Sequence, residues 1–132
     1  QSLASRRDIL LDAPDDELPV SADERLLHVV FDNLIDNAIK YSPGDTAITV
    51  SACRQDDRVR VSVRDHGDGF DAADLDHVFQ RFWRAGAVRR KPGVGLGLYM
   101  VRRIVELHGG TVRAANAAEG AGAVLVVTLP AA

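Results

Sequence analysis

The stretch that most constrains the fold is residues 31–43, which combine the apolar spacing of a helix with polar side chains along one side. Asn33 and Asn37 are four residues apart, so a helix places them on one face, one turn apart. Lys40 and Tyr41 follow three and four residues after Asn37 and share roughly that face. Asparagine is a mediocre helix former because its side chain competes for backbone hydrogen bonds, so two of them within one helix call for an explanation.

Two interpretations of this asparagine pair are open. In the first, the carboxamides are solvated or bond locally. In the second, a carboxamide oxygen ligates a hard cation and Lys40 contacts phosphate. The second has a specific candidate, because Mg²⁺ prefers oxygen ligands, keeps several waters and shares its coordination shell with substrate phosphates. The choice between them depends on the other motifs of the chain.

Size and composition limit the class of protein. The 132 residues suit one domain with a core, and the hydrophobic share of 46% and charged share of 27% are those of a soluble globular protein. The net charge of -3 gives no reason to expect nucleic-acid binding. The single cysteine, Cys53, excludes an internal disulfide and fits a reducing compartment, and we expect it to be a small core residue.

The order of predicted elements favours an α+β fold. Ser21 and Glu24 have the spacing of a capping box for a helix that runs to about Tyr41, and the polar residues 1–8 suggest a linker remnant. The predicted strands are residues 8–12, 17–20, 46–54, 58–65, 112–115 and 124–129, and the other predicted helices are residues 71–79 and 98–107. Hairpins with separately placed helices indicate a two-layer α/β sandwich, with a mixed, mostly antiparallel sheet of about five strands and about three helices on one face.

A second candidate site follows a predicted strand, at Asp65-x-Gly67-x-Gly69. A carboxylate only accepts hydrogen bonds, so it suits the exocyclic amine of adenine and not the keto oxygen of guanine. The glycines allow the backbone to approach a flat base. An ordinary Asp-Gly turn is the alternative for this motif taken alone.

A third candidate is the glycine-rich segment Gly93-Val94-Gly95-Leu96-Gly97-Leu98, which opens the last predicted helix. Free backbone amides and the dipole at a helix N-terminus favour an anion. The spacing is neither the Rossmann fingerprint, which needs a glycine where Leu98 stands, nor a P-loop, and a flexible hinge is the alternative. The apolar positions of that helix are Leu98, Val101, Ile104, Val105 and Leu107, and its glycine stop is His108-Gly109-Gly110.

The loop between these glycine motifs, residues 80–92, has no apolar period, and we expect it to be mobile. Its cations, Arg81 and Arg84 among them, stand in a stretch without acidic residues, where they either bind phosphate or are simply solvated. Three large aromatic side chains in or beside the loop suggest that it docks as a lid or a partner surface. These are Phe79, Phe82 and Trp83.

Together these motifs resemble those of the catalytic and ATP-binding domain of sensor histidine kinases, within the wider family of gyrase, Hsp90, histidine kinase and MutL ATPases. The resemblance covers about residues 9–130 and implies the Bergerat-type ATP-binding fold. The matching segments are residues 33–42 for the N box, 65–70 for the G1 box, 78–84 for the F box and 93–98 for the G2 box. Each is weak to moderate alone, but the four in this order are very specific.

The resemblance implies roles for the residues of the first two boxes. Asn37 would be the principal Mg²⁺ ligand with Asn33 beside it, Lys40 would contact phosphate and Tyr41 would lie against the nucleotide. Asp65 would accept a hydrogen bond from the adenine amine. The other G1 residues that would shape the base pocket are Gly67, Gly69 and Phe70.

The resemblance implies more mobile contacts for the other two boxes. Arg81 and Arg84 would reach phosphates or the partner helix. The G2-box residues would hinge a lid, at about residues 71–92, and donate backbone amides to the phosphates. They are Gly93, Val94, Gly95, Leu96, Gly97 and Leu98.

The resemblance also implies the reaction. ATP-hydrolysing relatives typically carry a glutamate four residues before the metal-binding asparagine, whereas this chain has Asn33, which favours transfer to a protein histidine over hydrolysis. Such transfer depends on positioning and charge stabilisation. No histidine of this chain precedes an acidic residue, as the family's phosphoacceptor does. We therefore expect residues 9–132 to be a catalytic domain whose dimerisation and phosphoacceptor domain is absent from this chain.

The expected cofactors are ATP, or ADP as product, and Mg²⁺. The expected partners are the parent's own upstream dimerisation and phosphoacceptor domain and a response regulator, with no nucleic acid. We expect a monomeric fragment, a homodimeric parent and a cytoplasmic location, as the soluble part of a membrane-anchored kinase. Two rival functions are a catalytically silent nucleotide-binding module and an anti-sigma-type serine kinase, although the latter relatives usually lack an aromatic F box.

Overall fold

Five strands and two α-helices make up the part of the chain that the structure, a computed structural model, describes: residues 9–12, 18–42, 44, 46–80, 97–118 and 121–132. The strands are β1 (Ile9–Asp12), β2 (Ile48–Gln55), β3 (Arg58–Arg64), β4 (Thr111–Asn116) and β5 (Ala123–Pro130), and the helices are α1 (Glu24–Tyr41) and α2 (Gly97–Leu107). One sheet has the order β1-β2-β3-β5-β4, in which β1 is parallel to β2 and the other neighbouring pairs are antiparallel.

Both helices pack against the same face of the sheet, around one apolar core. Because side chains alternate along a strand, every second residue of β3 and β5 faces the helices, and Val63, Leu125 and Val127 are buried there. The helices contribute Val30, Leu34, Ala38, Leu98, Val101, Ile104 and Val105. The predicted two-layer α+β fold with a mixed, mostly antiparallel sheet is confirmed.

The start of α1 differs from the predicted capping box at Ser21. Asp23 is the N-cap, and its Oδ1 accepts hydrogen bonds from the backbone N–H groups of Arg25 at 2.9 Å and Leu26 at 3.3 Å. An aspartate at this position satisfies free N–H groups and also complements the helix dipole, so it takes the role from the serine two residues earlier.

The end of α2 is a glycine stop, as predicted. Gly109 has φ +76, its N–H donates to Glu106 O at 3.0 Å, and the N–H of Gly110 donates to Val105 O at 2.9 Å. This pair of bonds is the Schellman pattern, which favours glycine in the left-handed conformation. Leu107, which was predicted to lie on the apolar face, is 72% exposed; it is the last residue of α2 and falls outside the buried stripe of Leu98, Val101, Ile104 and Val105.

A histidine joins the two helices where α2 ends and α1 begins. His108 Nδ1 donates to Ile104 O at 2.8 Å, which leaves Nε2 to accept from the N–H of Asp23 at 3.1 Å. At the other end of this contact Gly97, the first residue of α2, lies beside Asn33 of α1. The helices therefore run antiparallel, and the N-terminus of α2 meets the polar face of α1.

Three further local predictions need correction. Cys53 is exposed and not in the core, because it pairs with Arg60 on the sheet face that the helices leave uncovered. The predicted strand at residues 17–20 is described only from residue 18, and there Val20 forms a single bridge with Ala131.

The predicted helix at residues 71–79 is shorter than expected. Only Ala72–Asp74 is helical, as a 3₁₀ turn, and the chain then continues in turns to Val78 and Phe79, which are buried in the core. The packing of these two side chains in the core, and not a continuous helix, therefore sets the path of this segment.

Among the described residues, neither α-helix has both the length and the apolar character of a membrane span.

Candidate functional site

Described residues from three of the four predicted motifs lie along the second half of α1. Gly67 lies so close to the end of α1 that a Cβ there would collide with the carbonyl oxygen of Tyr41 and lie 3.2 Å from Ser42 Cα. A Cβ on Gly97 would lie only 2.8 Å from Asn33 Oδ1. Glycine is required at Gly67, where the Cβ would meet backbone, whereas at Gly97 the Cβ would meet only a side chain; the two glycines allow the G1 turn and the start of α2 to approach the asparagine-bearing helix.

Asp65 is the buried charged residue at the centre of this site, with 4% of its surface exposed. Its Oδ1 accepts two backbone hydrogen bonds, from Gly67 at 2.9 Å and from Ala123 at 3.1 Å. Its own N–H donates to Ala123 O at 3.0 Å. Within the described part of the chain, both bonds to the carboxylate use Oδ1, so Oδ2 is left to accept from a ligand.

The turn that follows Asp65 is held by the hairpin of β4 and β5. The N–H of Phe70 donates to Asn116 Oδ1 at 2.8 Å, and Asn116 Nδ2 donates to Phe70 O at 2.7 Å. Gly69 has φ +76, and Gly122, with φ +122, lies so close to Asp65 that a Cβ would collide with its carbonyl oxygen. Backbone geometry, supported by one carboxamide, therefore determines where this turn lies.

The polar face of α1 is built from side chains that retain access to solvent. Asn33 and Asn37 are half-buried, Tyr41 is half-buried and Lys40 is exposed. Asn33 Nδ2 donates to Val29 O at 2.8 Å, so the local-bonding interpretation is right for its amide nitrogen, while Oδ1 faces Gly97. For Asn37, no side-chain hydrogen bond to the described residues is found, and its oxygen can therefore serve as a ligand.

Two of the predicted site residues pack in or against the apolar core. Leu98 is 8% exposed and belongs to the apolar core, so its side chain anchors α2, and Phe70 packs partly buried against the same core. Six predicted site residues lie outside the described residues: Arg81, Arg84, Gly93, Val94, Gly95 and Leu96. The expected mobility of residues 80–92 also falls there, from residue 81 onward.

Sequence reasoning missed three contributors to this site: Asn116, Gly122 and Ala123. An asparagine at a strand end and a glycine before a strand are ordinary turn residues, so neither indicates a distant contact. Ala123 acts through its backbone, which no side-chain pattern reports. The one available signal was the pair of glycines at positions 120 and 122, which indicates a tight or close-packed turn.

Comparison with known proteins identifies the family. The sequence model described as "Histidine kinase-, DNA gyrase B-, and HSP90-like ATPase" matches residues 22–132. The chain belongs to this family. The site described above, with its buried carboxylate, glycine turns and paired asparagines, lies within the matched residues.

Individual relatives narrow the subfamily to sensor histidine kinases. The sensor histidine kinase WalK of Bacillus subtilis is 36% identical over 121 residues, which is 89% of this chain and 20% of WalK. The mycobacterial sensor histidine kinase MprB superimposes with a TM-score of 0.86 at 30% identity, covering 98% of this chain and 88% of that one. Full-length ShkA in complex with AMPPNP superimposes with a TM-score of 0.82 at 28% identity, covering 98% of this chain and 27% of the ShkA chain.

These similarities confirm the predicted family and the predicted use of ATP. They also favour the histidine kinases over the two rival functions, since the curated relatives carry sensor kinase names. The chain spans 20% of the length of WalK and 20% of AfsQ2 of Streptomyces coelicolor, so it corresponds to the ATP-binding part of such kinases.

Proposed function

We propose that this chain binds ATP together with Mg²⁺ and transfers the γ-phosphoryl group to a histidine on a separate dimerisation and phosphoacceptor domain. The observation that carries the proposal is the Asp65 carboxylate, which is buried and oriented by two backbone N–H groups through one oxygen. The second oxygen is left to recognise a donor on the ligand.

Adenine fits this carboxylate and guanine does not. The exocyclic amine of adenine donates a hydrogen bond, whereas guanine presents a keto oxygen at the same position, which would face Oδ2 as a second acceptor. Because Asp65 is 4% exposed, water cannot readily compensate for the mismatch. The close approach of Gly67 to Tyr41 places the end of α1 next to the base side of the pocket.

The phosphate side is assigned to α1 and the G2 box. Asn37 would hold Mg²⁺ through its carboxamide oxygen with Asn33 nearby, Lys40 would contact phosphate and Tyr41 would lie against the nucleotide. The remaining proposed contacts are Arg81, Arg84 and residues 93–98. When bound, Mg²⁺ neutralises negative charge on the phosphates. The half-buried carboxamides on one helix face fit a cation that keeps part of its water shell.

Transfer to histidine, and not hydrolysis, follows from Asn33. A carboxamide cannot remove a proton from water, and its nitrogen is already engaged with Val29 O at 2.8 Å. The domain would therefore position the γ-phosphoryl group for an incoming imidazole and leave water unactivated.

The wider assignments rest on the relatives. We infer a homodimeric parent kinase that carries the phosphoacceptor histidine upstream of this domain and passes the phosphoryl group to a response regulator. This domain would face the cytoplasm in a membrane-anchored parent. Residues 71–92 would form the lid over the nucleotide.

Calorimetric titration of ADP, with and without Mg²⁺ and with GDP as control, tests the binding part of the proposal. Mg²⁺-dependent binding of ADP but not of GDP is expected. Labelled ATP, supplied with the parent's phosphoacceptor domain, should then label that domain at its histidine. Nucleotide binding without transfer would favour a catalytically silent module, and binding of neither nucleotide would exclude the proposed site.

A further inference from the structure

We propose that Asn116 is a positioning residue for base recognition, which holds the turn between Asp65 and Phe70 in the conformation that receives adenine. The inference rests on the proposed function, because it concerns the same base site. Asn116 lies 51 positions after Asp65 in the sequence, at the end of β4.

The carboxamide of Asn116 forms two hydrogen bonds with the backbone of Phe70. Asn116 Oδ1 accepts from the N–H of Phe70 at 2.8 Å while Nδ2 donates to Phe70 O at 2.7 Å. One planar group thus pairs with both backbone polar groups of one residue, as a neighbouring strand would. A Cβ on Gly69 would lie 2.7 Å from the same Oδ1, so the carboxamide is packed directly against the turn.

One cross-strand pair holds the two ends of the turn. Asn116 and Ala123 are partners in the register of β4 and β5. The backbone of Ala123 binds Asp65 in both directions, and the side chain of Asn116 binds Phe70. The end of this hairpin therefore clamps both the residue that would read the base and the residue that closes the turn.

The contact with Phe70 restricts which side chain can replace Asn116. The contact requires one donor and one acceptor on a short planar side chain. Aspartate has the same shape but would set a carboxylate oxygen against the Phe70 carbonyl, and alanine removes both bonds. Asn116 is exposed and outside the apolar core, so its removal should weaken base binding much more than folding.

The test compares Asn116→Ala, Asn116→Asp and Asn116→Gln with the wild-type chain, using calorimetry with ADP and Mg²⁺ and urea unfolding. Asn116→Ala should weaken ADP binding about tenfold, in line with the loss of two partly exposed hydrogen bonds. Asn116→Asp should bind ADP at least as weakly although it is isosteric, and Asn116→Gln should be intermediate. Thr111→Ala, at the exposed other end of β4, is the matched control and should bind like the wild type.

A kinetic readout separates positioning from general damage. In the parent kinase, Asn116→Ala should raise KM for ATP by a similar factor and leave kcat within about twofold, because the phosphate side is untouched. A fall in kcat with unchanged KM would overturn the inference, and so would wild-type ADP affinity in Asn116→Ala or Asn116→Asp.

Asp65→Asn in the same series distinguishes this inference from the proposed function. If Asp65→Asn loses ADP binding while Asn116→Ala keeps it, the base site stands and the role of Asn116 is wrong. If Asp65→Asn binds as tightly as the wild type, or the wild type binds no ADP, the base site itself is wrong and the inference falls with it.

Discussion

The turn around Asp65 and the polar face of α1 lie side by side but are held in different ways. At the turn, a buried carboxylate, three backbone hydrogen bonds with Gly67 and Ala123, and two close glycine contacts leave little freedom. On α1, Asn33, Asn37 and Lys40 are half-buried or exposed side chains on a helix that is itself fixed by the core. The proposed base recognition thus depends on the fold itself, whereas the proposed metal and phosphate contacts depend on side chains that can be changed without disturbing the fold.

Gly67→Ala should have the largest effect on the unfolding free energy, because it changes the turn around Asp65, which is held by backbone contacts. The new Cβ collides with the carbonyl oxygen of Tyr41, and neither chain segment can move without disturbing the core, so a loss of about 3 kcal/mol in unfolding free energy is expected. Urea unfolding measures it. Gly97→Ala is the matched control, since its Cβ meets only the Asn33 side chain and gains helix propensity; equal losses in both variants would contradict the comparison.

Asp65→Asn should weaken ADP binding roughly 100-fold, about 2.7 kcal/mol. The amide oxygen can still accept from Gly67 and Ala123, which turns the amide nitrogen toward the adenine amine and sets two donors against each other. Calorimetry gives the affinity. Asp68→Asn, an exposed change in the same turn, should have no effect, and a comparable loss there would show that net charge alone is responsible.

Asn37→Ala should weaken ADP binding about tenfold in the presence of Mg²⁺ and leave it unchanged in the absence of Mg²⁺. The reason is the loss of one oxygen ligand from a helix face that does not otherwise change. Parallel titrations with Mg²⁺ and with a chelator measure the difference. Asp36→Asn, on the exposed side of the same turn of α1, should behave like the wild type. A chelator-independent loss would assign Asn37 to folding and not to the metal.

Asp23→Ala should have the smallest effect, because it changes neither the turn around Asp65 nor the polar face of α1. It removes the N-cap bonds to Arg25 and Leu26 and should lower the unfolding free energy by about 1 kcal/mol. ADP affinity should stay within twofold of the wild type, about 0.4 kcal/mol. A larger change in affinity would mean that α1 moves as a whole when its first turn frays.

Features that depend only on neighbouring residues in the sequence were predictable. The spacing of Asn33 and Asn37, the glycines around Asp65 and the stop at Gly109 are all local features, and apolar periodicity with turn residues indicated the succession of strands and helices along the chain. The family resemblance then supplied the nucleotide chemistry, and the family and the use of ATP are confirmed. The roles of individual residues, including Arg81, Arg84 and the G2 glycines before Gly97, stay predictions.

What escaped prediction depends on contacts between distant parts of the chain. Asn116 and Phe70 are 46 residues apart, and Asp65 and Ala123 are 58 residues apart. Alternation along β2 indicates two faces but not which one the helices cover, and Cys53 was therefore assigned to the wrong side. Ser21 and Asp23 are both good N-caps, and only the observed helix start decides between them.

The position of β5 between β3 and β4 has a consequence for biosynthesis. β5 is the last strand of the sheet to leave the ribosome, yet it is an interior strand, paired on both sides, and it supplies the backbone groups that orient Asp65. A nascent chain that ends before Ala123 has neither a closed core nor a base site, so nucleotide cannot assist the early stages of folding. The domain therefore folds after its final strand emerges, and truncations within β5 should be handled by the cell as unfolded protein.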